Sequence, residues 1–394
     1  MTTQNESNHH SQKREYLMRQ TRGRHALWVP FCIIGITVAL AGCGRKHAET
    51  VSLGVLAPLT GEGATYGEAM KKGLDLAVEQ CGENAQGNRR IKLVYEDTKL
   101  SPRETLNCLR QLIEIHKTPL IFGPASSSCA LQAVPVARES RVPLFSSIAT
   151  ADALDDAGEF FFRNIPKNHK QIETIADYIV NTLKAKRVAV LYENNDYGVN
   201  MQTEIGNVIK DRIVLSEAYD SGQRDFRDVL AKVKQATADV VFVPGTYNEV
   251  SLIIRQAREL GIQSTLISGD GAYSPTLLKN AGEKAEGFCC TLVSVSDKDA
   301  PQYRKFATAY VTKYGAEPDV YSVLSYDAGV MVMGIINSAP DGVVLDGNYI
   351  KEKLRTTEHV GAFGVTKFNE HGGIDRLYEI YTVKNGKFEI LRRN

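Results

Sequence analysis

Tryptophan is nearly missing from this chain of 394 residues: its one copy, Trp28, lies close to the N-terminus, so the body of the protein has none. Surplus charge of either sign is missing too. With 47 Lys and Arg against 46 Asp and Glu, the chain lacks the excess of base needed to track a phosphate backbone, which excludes a general nucleic-acid binder. Long apolar runs are confined to one stretch near the start, which excludes a multi-span membrane protein. The seven cysteines form no C-x-x-C pair and the histidines no H-x-x-x-H pair, so neither a zinc site nor a thioredoxin-type motif has a frame. G-x-G-x-x-G, a phosphate loop ending in Lys-Ser/Thr, G-x-S-x-G and H-E-x-x-H are also absent. That removes sequence support for dinucleotide, nucleotide and common hydrolase chemistry. No cofactor, no metal and no enzyme activity is expected. What remains, 43% hydrophobic and 24% charged, is a folded globular composition long enough for two or three domains of roughly 150 residues.

The apolar stretch Ala26 to Ala41 follows Lys13, Arg14, Arg19, Arg22 and Arg24, opposed only by Glu6 and Glu15. A basic region, an apolar run too short and interrupted for a span, and a small-residue end describe an export signal. It closes on Leu40-Ala41-Gly42-Cys43, which resembles the bacterial lipobox. On that reading residues 1–42 are removed, Cys43 carries the lipid, and 43–50 is a linker to the membrane. Met18 to Cys43 alone makes a complete signal, and an uncleaved anchor helix is the alternative. The mature chain then carries 42 basic and 44 acidic residues and five further cysteines, Cys81, Cys108, Cys129, Cys289 and Cys290. An odd number leaves at least one thiol free or paired between chains.

From Val51 the pattern alternates. Short runs rich in β-branched residues, such as VSLGVLA (51–57), IKLVYED (91–97), PLIFG (119–123) and VPLFSS (142–147), are separated by helix-period stretches. A second series of similar length follows a break at Phe160–Asn168: RVAVLYE (187–193), DVVFVPG (239–245), STLISGD (264–270) and GFCCTLV (287–293). Strands that are apolar throughout, alternating with helices, predict parallel sheets covered on both faces. The fold class is therefore α/β, with two doubly wound Rossmann-like lobes. The tail turns helical after Thr291 and ends in short strands, with Lys384-Asn385-Gly386-Lys387 as a hairpin turn. Lobe 1 is expected to hold 51–166 and 296–376, and lobe 2 to hold 167–295 and 377–394.

Open parallel sheets bind ligands beyond the carboxyl ends of their strands. In the first series those positions hold the Gly-rich loop before Tyr66, then Ala125, Ser126, Ser127 and Ser128, and Ile148-Ala149-Thr150. Hydroxyls and free N–H groups at a helix start suit a carboxylate or phosphate, although plain N-capping by one serine explains the same residues. In the second series they hold Tyr197, Tyr247 and Asp270, the last between two glycines. Asp270 suits a cationic group, although an Asp beside Gly commonly bonds its own backbone, and the tyrosines suit half-buried packing equally well. Together the two walls suit a small zwitterion, with its carboxylate at Ser127 and Thr150 and its ammonium at Asp270.

These residues, in this order, resemble the periplasmic Leu/Ile/Val-binding proteins, the type I substrate-binding proteins of ABC importers. The resemblance runs over about 51–391 and is carried by Leu56-Ala57-Pro58-Leu59-Thr60-Gly61 with Tyr66-Gly67, Ile121-Phe122-Gly123-Pro124 with Ser126-Ser127-Ser128, and Phe162-Arg163-Asn164-Ile165-Pro166. Further along it rests on Asn195-Asp196-Tyr197-Gly198, Gly269-Asp270-Gly271, Ala285-Glu286-Gly287, Tyr326-Asp327-Ala328 and Phe368 to Gly372. It implies two lobes joined by a hinge of three crossings, closing on a small amino acid of branched-chain type or a related amide. It implies an ABC permease as partner, a monomer, and a position outside the cytoplasm on the lipid at Cys43. It gives the carboxylate to Ser127 and Thr150 with backbone near Ile148, and the ammonium to Asp270, where several relatives carry Glu. Tyr66, Tyr197 and Tyr247 would line the site, with Ala125 and the position near Val323 shaping the side-chain pocket. The same module presenting its ligand to a chemoreceptor or signalling partner is the alternative.

Overall fold

The computed structural model describes residues 49–82 and 89–393. The expected signal peptide, Cys43 and most of the linker lie outside them.

The first βα series builds one sheet from β1 (Glu49–Ala57), β2 (Arg89–Asp97), β3 (Ile121–Phe122), β4 (Leu144–Ser146) and β5 (Phe161–Arg163). Its helices are α1 (Ala64–Cys81), α2 (Pro102–Arg110) and α3 (Ser127–Glu139). The strand order is β2-β1-β3-β4-β5, every pair parallel. The second series supplies β6 (Val188–Glu193), β7 (Ile213–Tyr219), β8 (Val240–Phe242), β9 (Thr265–Ser268) and β10 (Cys289–Val293). Its helices are α4 (Asn168–Asp177), α5 (Asp196–Ile209), α6 (Arg227–Gln235), α7 (Tyr247–Glu259) and α8 (Pro275–Ala281). These strands run β7-β6-β8-β9-β10, again all parallel, which repeats the first order. Each sheet therefore reverses direction once, between its first and third strands, and opens a crevice there.

The tail follows as α9 (Pro301–Tyr314), α10 (Val320–Ser338) and α11 (Gly347–Thr356), then β11 (Glu358–Val360), β12 (Val365–Lys367), β13 (Tyr378–Lys384) and β14 (Lys387–Arg392). The strands of the tail extend the second sheet beyond its parallel series. β13 pairs antiparallel with β10, and β14 antiparallel with β13. The hairpin between them turns at Asn385 and Gly386, both with positive φ, the Asn-Gly geometry that suits a two-residue turn. α10 is apolar enough to span a membrane by composition, but most of it is buried inside the protein. It lies along α1, where Gly73 lets the backbones meet: a Cβ there would stand 2.3 Å from the Ser322 carbonyl.

The chain passes between the sheets three times, after β5, after β10 and before β13, and the crossings bind one another. Arg163 N donates to Gly372 O at 2.9 Å, Ser296 N to Phe363 O at 3.2 Å, and the Tyr378 hydroxyl to Pro166 O at 2.8 Å. Arg163 itself is almost fully buried and forms an ion pair with Asp155.

One packing device occurs twice. Tyr66-Gly67 and Tyr197-Gly198 each open the helix that follows the first strand of their series. A Cβ on Gly67 would lie 2.0 Å from Pro58 O, and one on Gly198 2.1 Å from Glu193 O. The helix thus presses on the strand-end loop before it while the neighbouring Tyr reaches into the cleft. Gly67→Ala and Gly198→Ala are each expected to lower stability by about 1–3 kcal/mol, the usual cost of overpacking, read as a fall in melting temperature by circular dichroism. A melting temperature unchanged or raised, as ordinary helix propensity alone would give, would contradict the close approach.

Candidate functional site

The two crevices face each other and enclose a cavity of about 750 Å³, within the usual range of small-molecule pockets, about 300–1,000 Å³. Tyr66, Ala125, Ser126, Ser127, Ile148 and Thr150 line it from the first lobe, and Tyr197 and Asp270 from the second. Two expected site residues are placed elsewhere. Ala149 is buried among Ala130, Ala133 and Leu154 in the first lobe's outer core. Tyr247 sets its ring edge-on to Tyr66, centroids 5.1 Å apart, and donates from its hydroxyl to Glu62 O across the lobes. It fastens the cleft rather than lining it.

The three serines at the start of α3 divide the work. Ser126 is the N-cap, accepting from Cys129 N at 3.2 Å, as the capping alternative anticipated. Ser128 accepts from Asp196 N at 3.1 Å and so ties the first lobe to the start of α5. Ser127 accepts from Ala151 N at 3.1 Å, which leaves its O–H free to donate into the cavity. The Ile148 and Ala149 N–H groups are already given to Ser146 Oγ, at 3.3 and 3.0 Å.

Opposite stands Asp270, 2% exposed. Its Oδ1 accepts from Gln171 Nε2 at 2.9 Å and from the Tyr197 hydroxyl at 3.1 Å, while Gln171 Oε1 accepts from Asp270 N at 2.9 Å. Its Oδ2 is buried with no partner among the described residues. Burial raises this carboxyl to about 6, against the opposing pull of the Gln171 and Tyr197 hydrogen bonds. A carboxylate with one oxygen fixed and the other unmatched is prepared for a cationic donor.

Gln171, Tyr321 and Glu193 are among the residues that line or hold this cavity without having been singled out from the sequence. Gln171 orients Asp270 from helix α4. Tyr321 lines the cavity and donates to Asp270 O at 2.8 Å, whereas Val323, the position expected near the side-chain pocket, is buried and not among the lining residues. Glu193 ends β6 and faces the cavity while 2% exposed. An acid closing an otherwise apolar strand was the available signal for it.

Several bonds hold the lobes together over the cavity. The Tyr66 hydroxyl donates to Gly271 O, Asn248 Nδ2 to Glu62 O at 2.8 Å, and Asp152 N to Asn200 Oδ1 at 3.1 Å. This is a closed arrangement. Among the described residues no group of acids, histidines and cysteines is placed to hold a metal ion, and the five described cysteines are unpaired.

The family model described as "Periplasmic binding protein" matches residues 50–387. The chain is similar to the leucine-, isoleucine-, valine-, threonine-, and alanine-binding protein of Pseudomonas aeruginosa, 24% identical over 345 residues, 86% of this chain and 91% of that protein. It is similar to the crystal structure of the branched-chain amino acid transporter substrate-binding protein LivJ of Streptococcus pneumoniae in complex with isoleucine. There the TM-score is 0.80 and the identity 29%, over 88% of this chain and all of that one, 100%. It is also similar to the leucine-binding protein LivK of Thermotoga maritima, with TM-score 0.81 and 28% identity over 86% of this chain and 97% of that one.

Proposed function

This chain belongs to the periplasmic binding protein family, a family of extracytoplasmic ligand-binding proteins, and on that premise we propose that it is the solute-binding lipoprotein of an ABC importer. Its ligand is a small amino acid of branched-chain type or a related amide, clamped between the lobes. The observation that carries this reading is the facing of two unlike walls across one cavity. Ser127 and Thr150 offer hydroxyls on one side, and the half-satisfied Asp270 carboxylate stands on the other. The ligand carboxylate lies on the first and its ammonium on the second. Closure follows because only the closed form brings both walls to one ligand, so affinity for that form exceeds affinity for the open one. The closed face then docks on the permease, and Cys43 anchors the protein by its lipid.

A thermal-shift screen of the purified protein against amino acids and their amides tests this reading. A ligand bound at a hundred times its Kd adds about 2.7 kcal/mol to the folded state, a rise of several degrees. No rise with any α-amino acid or amide would remove the proposal.

A further inference from the structure

Glu193 lies at the reversal point of the second sheet, where a doubly wound lobe places its ligand. Among the described residues its carboxylate is held by neutral donors, Ser221 Oγ to Oε1 at 2.5 Å and Thr246 N to Oε2 at 2.8 Å. No salt bridge reaches it among the described residues. Glu249 stands behind it, accepting from Gly222 N and from Thr246 Oγ1, and adds repulsion rather than neutralisation. A second orphan sits beside it: the Tyr219 hydroxyl is buried and has no partner among the described residues. Gly245 packs tightly against both: a Cβ there would fall 1.8 Å from the Tyr219 hydroxyl and 3.4 Å from Glu193 Oε2.

The wider lining agrees. Glu62, Glu193, Asp196 and Asp270 face the cavity against Lys99 alone. A buried carboxylate without a counter-charge is costly, and an apolar side chain laid against it would recover none of that cost. Burial raises the Glu193 carboxyl, with Glu249 pushing the same way. Asp270 already takes the ligand ammonium, so Glu193 needs a different donor. Both acids line the one cavity, and the loops that carry them meet where Gly271, next to Asp270, approaches the Gly245 carbonyl, 3.0 Å from its would-be Cβ. The two acids therefore stand on either side of one glycine contact.

We infer that Glu193 receives the far end of the ligand, and that the preferred solute is an amino acid whose side chain ends in a nitrogen donor, an amine or an amide. This rests on the reading above that an α-amino acid occupies the cleft, and it chooses the nitrogen-bearing members over the branched-chain ones.

L-Ornithine and L-norleucine have side chains of equal heavy-atom count that differ at the terminal group, –NH₃⁺ against –CH₃. L-Glutamine and L-leucine extend the comparison to the amide. In titration calorimetry at pH 7.5, at least one nitrogen-bearing member is expected to bind at least fivefold tighter than its apolar counterpart. Glu193→Gln, similar in shape but uncharged, is expected to cut that ratio at least fivefold. A preference for L-leucine and L-norleucine would overturn this inference and leave the amino-acid reading standing. So would an equal loss for all four ligands in the variant, which would make Glu193 only a brace for Ser221 and Thr246. Failure of all four to bind the unaltered protein would overturn both.

Discussion

Asp270→Ala is expected to weaken amino-acid binding by about a hundredfold. The aspartate is buried, its Oδ1 is committed to Gln171 and Tyr197, and its Oδ2 has no partner. Removing it takes away the carboxylate oxygen that would meet the ligand ammonium directly. Truncating one partner of a buried charge pair costs about 2–5 kcal/mol, and a hundredfold is about 2.7 kcal/mol. Asp270→Asn is the sharper control, because it keeps the shape and discards only the charge; it is expected to lose nearly as much. Stability separates this from damage to the fold. The folded-state carboxyl is raised from 3.8 to about 6, so at pH 7.5 the empty protein carries an ionised group it would rather hold protonated. Replacing that group by a neutral one is therefore expected to leave the melting temperature of the empty protein equal or higher, the stability–function trade-off common at binding sites. Calorimetric affinity unchanged in either variant would end the assignment of Asp270.

The two-lobe fold was legible because it is written as periodicity. Apolar strands between amphipathic helices have few alternatives to parallel layers, and both series carry the Tyr-Gly pair. Positions that line the cavity were legible for the same reason: Ser127, Thr150, Tyr197 and Asp270 each follow an apolar strand. What escaped were the roles that depend on direction. Three serines in a row look alike in sequence, but a helix N-terminus sends each along a different line, one to the cap, one into the cleft and one across to Asp196. Tyr247 reads like Tyr197 because both begin helices after strands; only the meeting of the lobes shows that its hydroxyl is used up on Glu62. Gln171 and Tyr321 lie within helices, where an inward polar side chain cannot be told from an outward one without the partner lobe. The antiparallel pairing of β13 was hidden because nothing local fixes which edge a returning strand joins.

Affinity for the amino acid is expected to fall about tenfold between pH 7.5 and pH 5, because Asp270 must be ionised to hold an ammonium. With a free-state value of about 6, nearly all of it is ionised at pH 7.5 and only about a tenth at pH 5. Groups around it do not offset the trend. Tyr66, Tyr197, Tyr321 and Tyr378 are all raised well above 10.0, first by burial, and stay neutral across this range. Glu193 is raised by burial and works in the same direction. The bound carboxylate is stabilised by the ammonium, so the complex holds fewer protons than the empty protein. Binding near pH 6 must therefore release protons, measurable as a heat that differs between buffers of unequal ionisation enthalpy. Stability of the empty protein should move the opposite way. Asp270 and Asp327, the latter raised by burial to about 7, have folded-state values above the unfolded 3.8, so the folded state binds more protons between pH 4 and pH 7. The slope of stability against pH is then negative, and these groups stabilise the fold as pH drops from 7.5 to 5. The carboxyls held low, Asp97 and Asp155, lose their contribution only below the unfolded value. A protein that melts no earlier at pH 5 yet binds its amino acid tenfold more weakly has lost the ligand through Asp270, whereas equal affinity at both pH values would mean that this carboxyl does not meet the ammonium.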